Sequence, residues 1–267
     1  MAEITAELVR TLRDKTSAGM MDCKKALAET QGDLEAAETL LRKKGILKAG
    51  SKADRATKEG VIHAFVNGSV GILLEVNCET DFVAKNDSFK AFVTALSEKL
   101  AAGADSACEE VTTLIKSKIA EMGENIVLRR VEKFEAEGGV LQTYIHLGGR
   151  VGVLVQAVAP DSDASRAVLK DVCMHIAASN PRFLSRDQVD PAFIAREREI
   201  AAEQVKDKPA NIVDKIVSGK IDKIVAENCL LDQAFIKNPD ISVADHIKTG
   251  GGITLSRFVR YAVGEEV

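Results

Sequence analysis

Apolar residues recur at helical spacing through the first 45 residues and predict three short helices. A break at residues 16–19 separates the first helix from a second over about residues 20–30. Asp33 is a good N-cap for the third helix, and Gly45 is expected to end it because glycine often follows a last helical turn. The N-terminal segment is therefore predicted to form a compact helical module, followed by a polar linker.

A β-hairpin is predicted next. Apolar runs at residues 61–66 and 70–76 flank Asn67-Gly68, a dipeptide that strongly favours a hairpin turn. A polar loop follows over residues 77–87, and then two amphipathic helices, the second with a capping box at Ser106 and Glu109. A further strand gives this unit the order β-β-α-α-β.

The hairpin pattern occurs twice. Residues 139–155 resemble residues 60–74, and in both copies the returning strand begins with Val-Gly. The loops that follow differ, since the first contains Phe82 and the second is short and polar. If the scaffold is duplicated, it does not require Phe82, and this favours display of that ring over packing.

Beyond the second hairpin, the composition becomes helical and charged. Residues 181–228 predict an antiparallel helical hairpin. A strand at 230–236, a short helix at 243–248 and a strand at 253–263 are expected to complete the second β unit across that insertion.

The whole pattern predicts an α+β fold. Four domains are expected: an N-terminal three-helix module and linker (1–54), a first core subdomain (55–139), a second core subdomain (140–180 with 229–267) and the inserted helical hairpin (181–228).

Composition narrows the function classes. The net charge is −4 and aromatic residues make up only 4%, which argues against a phosphate-backbone footprint and against stacking on single-stranded nucleic acid. Five cysteines without a C-x-x-C pair fit reduced cytosolic thiols. We predict no signal peptide and no membrane span, and we expect a cytoplasmic location.

The 77–87 loop has two chemical interpretations. Cys78 with Glu79 and Asp81 could serve a thiol enzyme, but a nucleophile needs a nearby base and no histidine is close in sequence. The four histidines show no metal-ligand spacing, and the glycine runs match no phosphate-binding motif. An ordinary turn is the favoured interpretation.

For three candidate contact sites, the residues alone do not decide between a structural role and contact with a partner. Phe82 is either packed inside its own module or offered to another protein. Of Met20 and Met21, one is expected in the core and the other is available as a contact surface. His146, beside a glycine turn, is placed as a structural residue first and a partner contact second.

Two segments resemble the signatures of bacterial elongation factor Ts. They are residues 12–27, LRDKTSAGMMDCKKAL, and residues 75–86, EVNCETDFVAKN, and a shorter match lies at residues 175–178. The resemblance covers essentially the whole chain. It implies a factor that exchanges GDP for GTP on elongation factor Tu, with an N-terminal bundle like a ubiquitin-associated domain.

The resemblance also implies roles for particular residues. The turn Thr80, Asp81, Phe82 and Val83 would disturb the magnesium site of the partner, with Phe82 as the wedge. His146 matches a position near the partner's third domain, and residues 181–228 match a protruding helical hairpin. Further partner contacts would be Arg10, Arg13, Met20 and Met21.

We therefore expect an exchange factor rather than an enzyme, with no catalytic residues, no metal and no cofactor. Its expected partner is elongation factor Tu, without direct nucleic-acid or membrane binding, and a homodimer within a larger complex is compatible with this role. The alternatives are a thiol-dependent cytosolic enzyme and an RNA-associated protein.

Overall fold

A computed structural model of the protein describes residues 4–16, 18, 20–50, 52, 54–160, 162–206 and 209–266. The side chains of residues 44–50, 210 and 211 are not among the described parts. Helices and strands are both abundant, which is compatible with the predicted α+β class. The predicted helix break at residues 16–19 lies partly outside the described residues.

The N-terminal helices are α1 (Ala6–Thr16), α2 (Met20–Glu29) and α3 (Leu34–Gly50). Asp33 caps α3 as predicted, since its Oδ1 accepts hydrogen bonds from the amides of Glu35 and Ala36. The prediction that Gly45 ends this helix is wrong, because α3 continues to Gly50. A single interior glycine costs only about 1 kcal/mol, and the residues after it, Ile-Leu-Lys-Ala, tolerate or favour helix. The core of this module contains Val9, Leu12, Cys23, Ala26, Leu27 and Ala37.

The first sheet has the antiparallel order β1-β2-β3, with β1 (Glu59–Asn67), β2 (Val70–Cys78) and β3 (Ile126–Glu135). The predicted hairpin is confirmed. Between β2 and β3 lie α4 (Asp81–Lys85), α5 (Asp87–Ala101) and α6 (Glu109–Met122). Two local predictions are wrong. The 77–87 segment is not one loop, and Ser106 does not cap α6, because that helix begins after Cys108 and has no side-chain cap.

The second sheet repeats this hairpin. Its first two strands are β4 (Val140–His146) and β5 (Val151–Val158), followed by α7 (Asp163–Ser179) and the paired helices α8 (Pro191–Glu203) and α9 (Ala210–Asn228). Then come β6 (Ala234–Phe235), β7 (Asn238–Ser242), α10 (Val243–Lys248) and β8 (Thr254–Ala262).

Strand β8 pairs with β5, so the order is β4-β5-β8 and the predicted closure across the helical insertion is confirmed. The predicted strand at 230–236 begins as a 3₁₀ turn over Leu230–Asp232, and only the two residues of β6 within it are extended as a strand. No described helix is both long and apolar enough to cross a membrane.

The two sheets pack against each other through an apolar layer: Ile62, Leu73, Phe134, Ala136, Leu141, Leu154 and Tyr261. The repeated Val-Gly has its physical reason here. A Cβ on Gly71 would lie 3.0 Å from Leu154 Cδ1 of the other sheet, and a Cβ on Gly152 would lie 2.4 Å from Ile62 Cγ2. Each glycine therefore allows the opposite sheet to approach closely.

A buried charged network also joins the sheets. The fully buried carboxylate of Glu75 accepts hydrogen bonds from Arg129 (3.3 Å) and Arg130 (2.7 Å). Arg130 also contacts Glu265 at 2.7 Å, just beyond β8, and Gly264 N donates to Glu75 at 3.3 Å. Because a buried charge is costly without partners, these contacts hold the end of β8 on the first sheet.

We expect Gly152→Ala to destabilise the fold by roughly 1–3 kcal/mol, because the new methyl group overpacks the contact between the sheets. Gly219→Ala is the matched control, since Gly219 lies in α9 and a Cβ added there would have nothing within 4 Å. It should stabilise by about 0.5–1 kcal/mol through helix propensity. Urea unfolding of both variants measures the difference, and equal free energies of unfolding would contradict this packing.

Candidate functional site

The turn between β2 and α5 is fixed by a capping residue at each end. Thr80 is the N-cap of the short helix α4, and its Oγ1 accepts a hydrogen bond from Val83 N at 3.4 Å. Asn86 ends α4 and caps α5, since its Oδ1 accepts from Ser88 N at 2.8 Å and from Phe89 N at 3.3 Å. Capping of this kind satisfies helix amides that would otherwise lack partners.

Glu124 holds the start of this turn from the segment that leads into the neighbouring strand β3. Its Oε2 accepts hydrogen bonds from the amides of Glu79 and Thr80, both at 3.0 Å, and its Oε1 accepts from the Thr80 hydroxyl at 2.6 Å. In return, Glu79 Oε1 accepts from Asn125 N at 2.7 Å. That hydrogen bond lowers the pKa of Glu79, so its carboxylate stays ionised at neutral pH.

The turn has an inner and an outer face. Cys78 and Ala84 are buried, and Val83 packs against the same core cluster, which includes Phe89. Phe82 lies on the other face, with 82% of its surface exposed. The alternative that Phe82 packs inside its own module is therefore wrong. A one-turn helix that buries Ala84 and packs Val83 against the core directs Phe82 away from it.

Asp81 places a negative charge beside the exposed ring. Its Oδ2 lies 2.6 Å from Lys85 Nζ, and this hydrogen bond lowers the pKa of Asp81. An exposed ion pair of this kind contributes little to stability. The ionised carboxylate is therefore available for other contacts on this face.

Cys78 supports the turn rather than presenting a nucleophile. It is fully buried, and its Sγ donates to Thr80 O at 3.2 Å. Burial, with smaller effects of the Glu124 and Glu59 charges, raises its pKa to about 12. The thiolate is the reactive form, so this geometry favours a structural thiol. Across the described ranges, no group of three or more His, Cys, Asp or Glu residues is placed to hold a metal ion.

The other predicted contact residues are exposed on separate elements. Arg10 and Arg13 lie on α1. Met20 and Met21 begin α2 with 58% and 64% of their surfaces exposed. The expectation that one of these methionines is in the core is wrong, because α2 buries Cys23, Ala26 and Leu27 instead.

His146 is exposed at the end of β4. Its Nδ1 lies 2.9 Å from the Tyr144 hydroxyl. The next residue, Leu147, is also exposed and has a φ of 48°, in the left-handed region that non-glycine residues seldom adopt. The tip of the second hairpin thus presents a histidine and an apolar side chain together.

Aromatic side chains are enriched at surfaces that bind other proteins, so the exposed ring on this fixed turn is a candidate contact residue. Residues 79–265, which include this turn, match the family model described as elongation factor TS. Elongation factor Ts of Halothermothrix orenii is 45% identical over 281 aligned positions, which cover 99% of this chain and 93% of that relative.

The chain belongs to the elongation factor Ts family. The resemblance of its two signature segments is thereby confirmed. Membership makes it a translation elongation factor, and the family implies a nucleotide-exchange role with elongation factor Tu as the partner.

We expect Cys78 to react slowly with iodoacetamide in the native protein at pH 8, because its buried thiol stays protonated far above that pH. Cys108, which is partly exposed, is the internal reference and should be labelled first. Peptide mass spectrometry after timed labelling measures both rates, and the urea-unfolded chain gives the unprotected rate. Equal labelling of Cys78 and Cys108 in the folded protein would show that Cys78 is accessible and reactive.

Proposed function

We propose that the protein is the guanine-nucleotide exchange factor of elongation factor Tu, and that its Thr80–Val83 turn promotes GDP release by disturbing the partner's Mg²⁺ site. The observation that supports this most is the exposed Phe82 ring on a turn held at both ends. In this proposal Thr80 and Val83 fix the turn, Asp81 brings a negative charge, and Phe82 is the wedge.

Magnesium is a reasonable target for such a wedge. A translational GTPase holds the phosphates of GDP with backbone amides and with Mg²⁺, which bridges them to the protein. Moving the groups around that ion weakens the binding of the nucleotide. By linkage, the exchange factor must lower the affinity for nucleotide by the same factor as the nucleotide lowers the affinity for the exchange factor.

Phe82 cannot supply the whole effect. Burying one Phe side chain contributes about 1.5–3 kcal/mol. A thousandfold weakening of nucleotide binding needs about 4 kcal/mol. We therefore assign additional binding energy to two other exposed surfaces, which are Arg10, Arg13, Met20 and Met21 on α1 and α2, and His146 on β4.

The wider organisation follows the same proposal. The three-helix module (1–54), which we compare to a ubiquitin-associated bundle, docks on the nucleotide domain of the partner. The first core subdomain (55–139) carries the wedge, and the second (140–180 with 229–267) carries His146. We propose a cytoplasmic protein without direct nucleic-acid or membrane contacts, and a homodimer within a larger complex is compatible with it.

The buried, protonated Cys78 argues against the thiol-dependent enzyme. The acidic balance of the chain, with a net charge of −4, argues against an RNA-associated protein. Phe82→Ala separates the exchange factor from both alternatives, because neither of them requires this ring.

We expect Phe82→Ala to slow GDP release from elongation factor Tu by about 10- to 100-fold, which corresponds to the lost burial of one ring. Stopped-flow release of a fluorescent GDP measures the rate. Binding to nucleotide-free elongation factor Tu should be retained in part, because the other surfaces are intact.

Two controls sharpen this experiment. Val158→Ala truncates another exposed apolar side chain, at the end of β5, and should release GDP at the wild-type rate. When EDTA removes Mg²⁺, the rates with wild type and Phe82→Ala should converge, because the ion is then already absent. A wild-type rate for Phe82→Ala in the presence of Mg²⁺ would remove the ring from the mechanism.

A further inference from the structure

The β2–β3 ladder ends at the residue pair Cys78 and Ile126. Beyond this pair, the segment after β2 and the segment before β3 stay connected through side-chain hydrogen bonds. Glu79 accepts from the amide of Asn125, and Glu124 accepts from the amides of Glu79 and Thr80. These hydrogen bonds extend the connection between the two segments as far as Thr80, the first residue of the Thr80–Val83 turn.

Glu124 is set in place by the backbone on both sides. Gly123 ends α6 in the left-handed conformation with a φ of 77°, and β3 begins at Ile126. The next residue, Asn125, is buried and its Nδ2 donates to Arg55 O at 2.9 Å. The carboxylate of Glu124 is therefore presented to the turn by a short, well-anchored connection.

The contacts of Glu124 involve the residues that determine where Phe82 points. Thr80 donates its hydroxyl to Glu124 Oε1 at 2.6 Å and also accepts from Val83 N at 3.4 Å. The same hydroxyl thus joins the carboxylate to the first turn of α4. Hydrogen bonds to an ionised acceptor are about twice as strong as neutral ones, so one carboxylate can fix this corner.

We infer that Glu124 is the positioning residue of the Thr80–Val83 turn. It holds Thr80, and Thr80 in turn holds α4, so that Phe82 is presented to elongation factor Tu in one fixed direction. This inference rests on the proposed function of Phe82. It assigns to Glu124 no contact with the partner, and its effect on exchange passes through the ring.

Such a role requires coupling between the two residues. Glu124→Ala should lower kcat/KM for GDP release roughly tenfold, because three hydrogen bonds to the turn are lost. In the Phe82→Ala background the same substitution should change the rate less than about twofold, since no ring remains to be positioned. A double-mutant cycle on the full chain, measured by stopped-flow release of fluorescent GDP, gives the coupling.

Two further variants exclude a general loss of structure. Glu121→Ala removes a carboxylate from the last turn of α6, where Glu121 accepts a hydrogen bond at 2.7 Å from the hydroxyl of Ser88 in α5. This variant should promote GDP release at nearly the wild-type rate. Glu124→Gln keeps the shape and one acceptor oxygen, so it should restore part of the activity lost in Glu124→Ala. Glu124→Ala, Glu124→Gln and Glu121→Ala should each melt as cooperatively as wild type.

The outcomes are distinguishable. A wild-type rate for Phe82→Ala overturns the proposed function and this inference with it. If Phe82→Ala is slow but Glu124→Ala is not, only the positioning role is wrong. If Glu124→Ala lowers kcat/KM equally in both backgrounds, or Glu121→Ala lowers it as much, Glu124 acts on the fold in general and the inference is also overturned.

Discussion

One carboxylate, that of Glu124, connects the end of a β-ladder to the only strongly exposed Phe among the described residues. The strands β2 and β3 bring it there, and the turn that carries Phe82 begins where their backbone pairing stops. A ring exposed on a loose loop would lose conformational freedom on binding, which weakens association. Fixing the turn in the free protein avoids much of that loss.

The two sheets are also held together by specific contacts. Gly71 and Gly152 let the two sheets approach closely, and Glu75 with Arg130 and Glu265 fastens the end of β8 to the first sheet. The Phe82 turn and the His146 hairpin tip therefore belong to elements joined by one packed interface. A rigid body can turn binding energy gained at one surface into displacement at another, and the proposed exchange mechanism requires such a transfer.

Local pattern predicted much of this architecture. The two hairpins and the Asp33 cap are encoded by residues close in sequence. The closing strand β8 is predicted from its own apolar pattern, although its partner β5 lies far away in sequence, with Val151 opposite Ala262. The predicted helix end at Gly45 is wrong because continuation of a helix beyond a glycine depends on the residues after it. The predicted core methionine is wrong because α2 buries Cys23, Ala26 and Leu27 instead.

The direction of Phe82 could not be derived from its neighbours, because burial of a Phe is the commoner outcome. Glu124 gave no signal at all, since it lies 44 residues from Thr80 and has no local motif. The role of the Glu124 carboxylate becomes visible only when the β2–β3 register places this residue beside the turn. Long-range side chain to backbone contacts of this kind are invisible to periodicity.

The most direct measurement is a photo-cross-link from position 82, with a benzoyl group carried on the ring in place of the native Phe82 side chain. We expect a cross-link to elongation factor Tu in the nucleotide-free complex, which is lost with excess GDP and absent when the same group replaces Val158. A complex that forms normally but gives no cross-link from position 82 would contradict it.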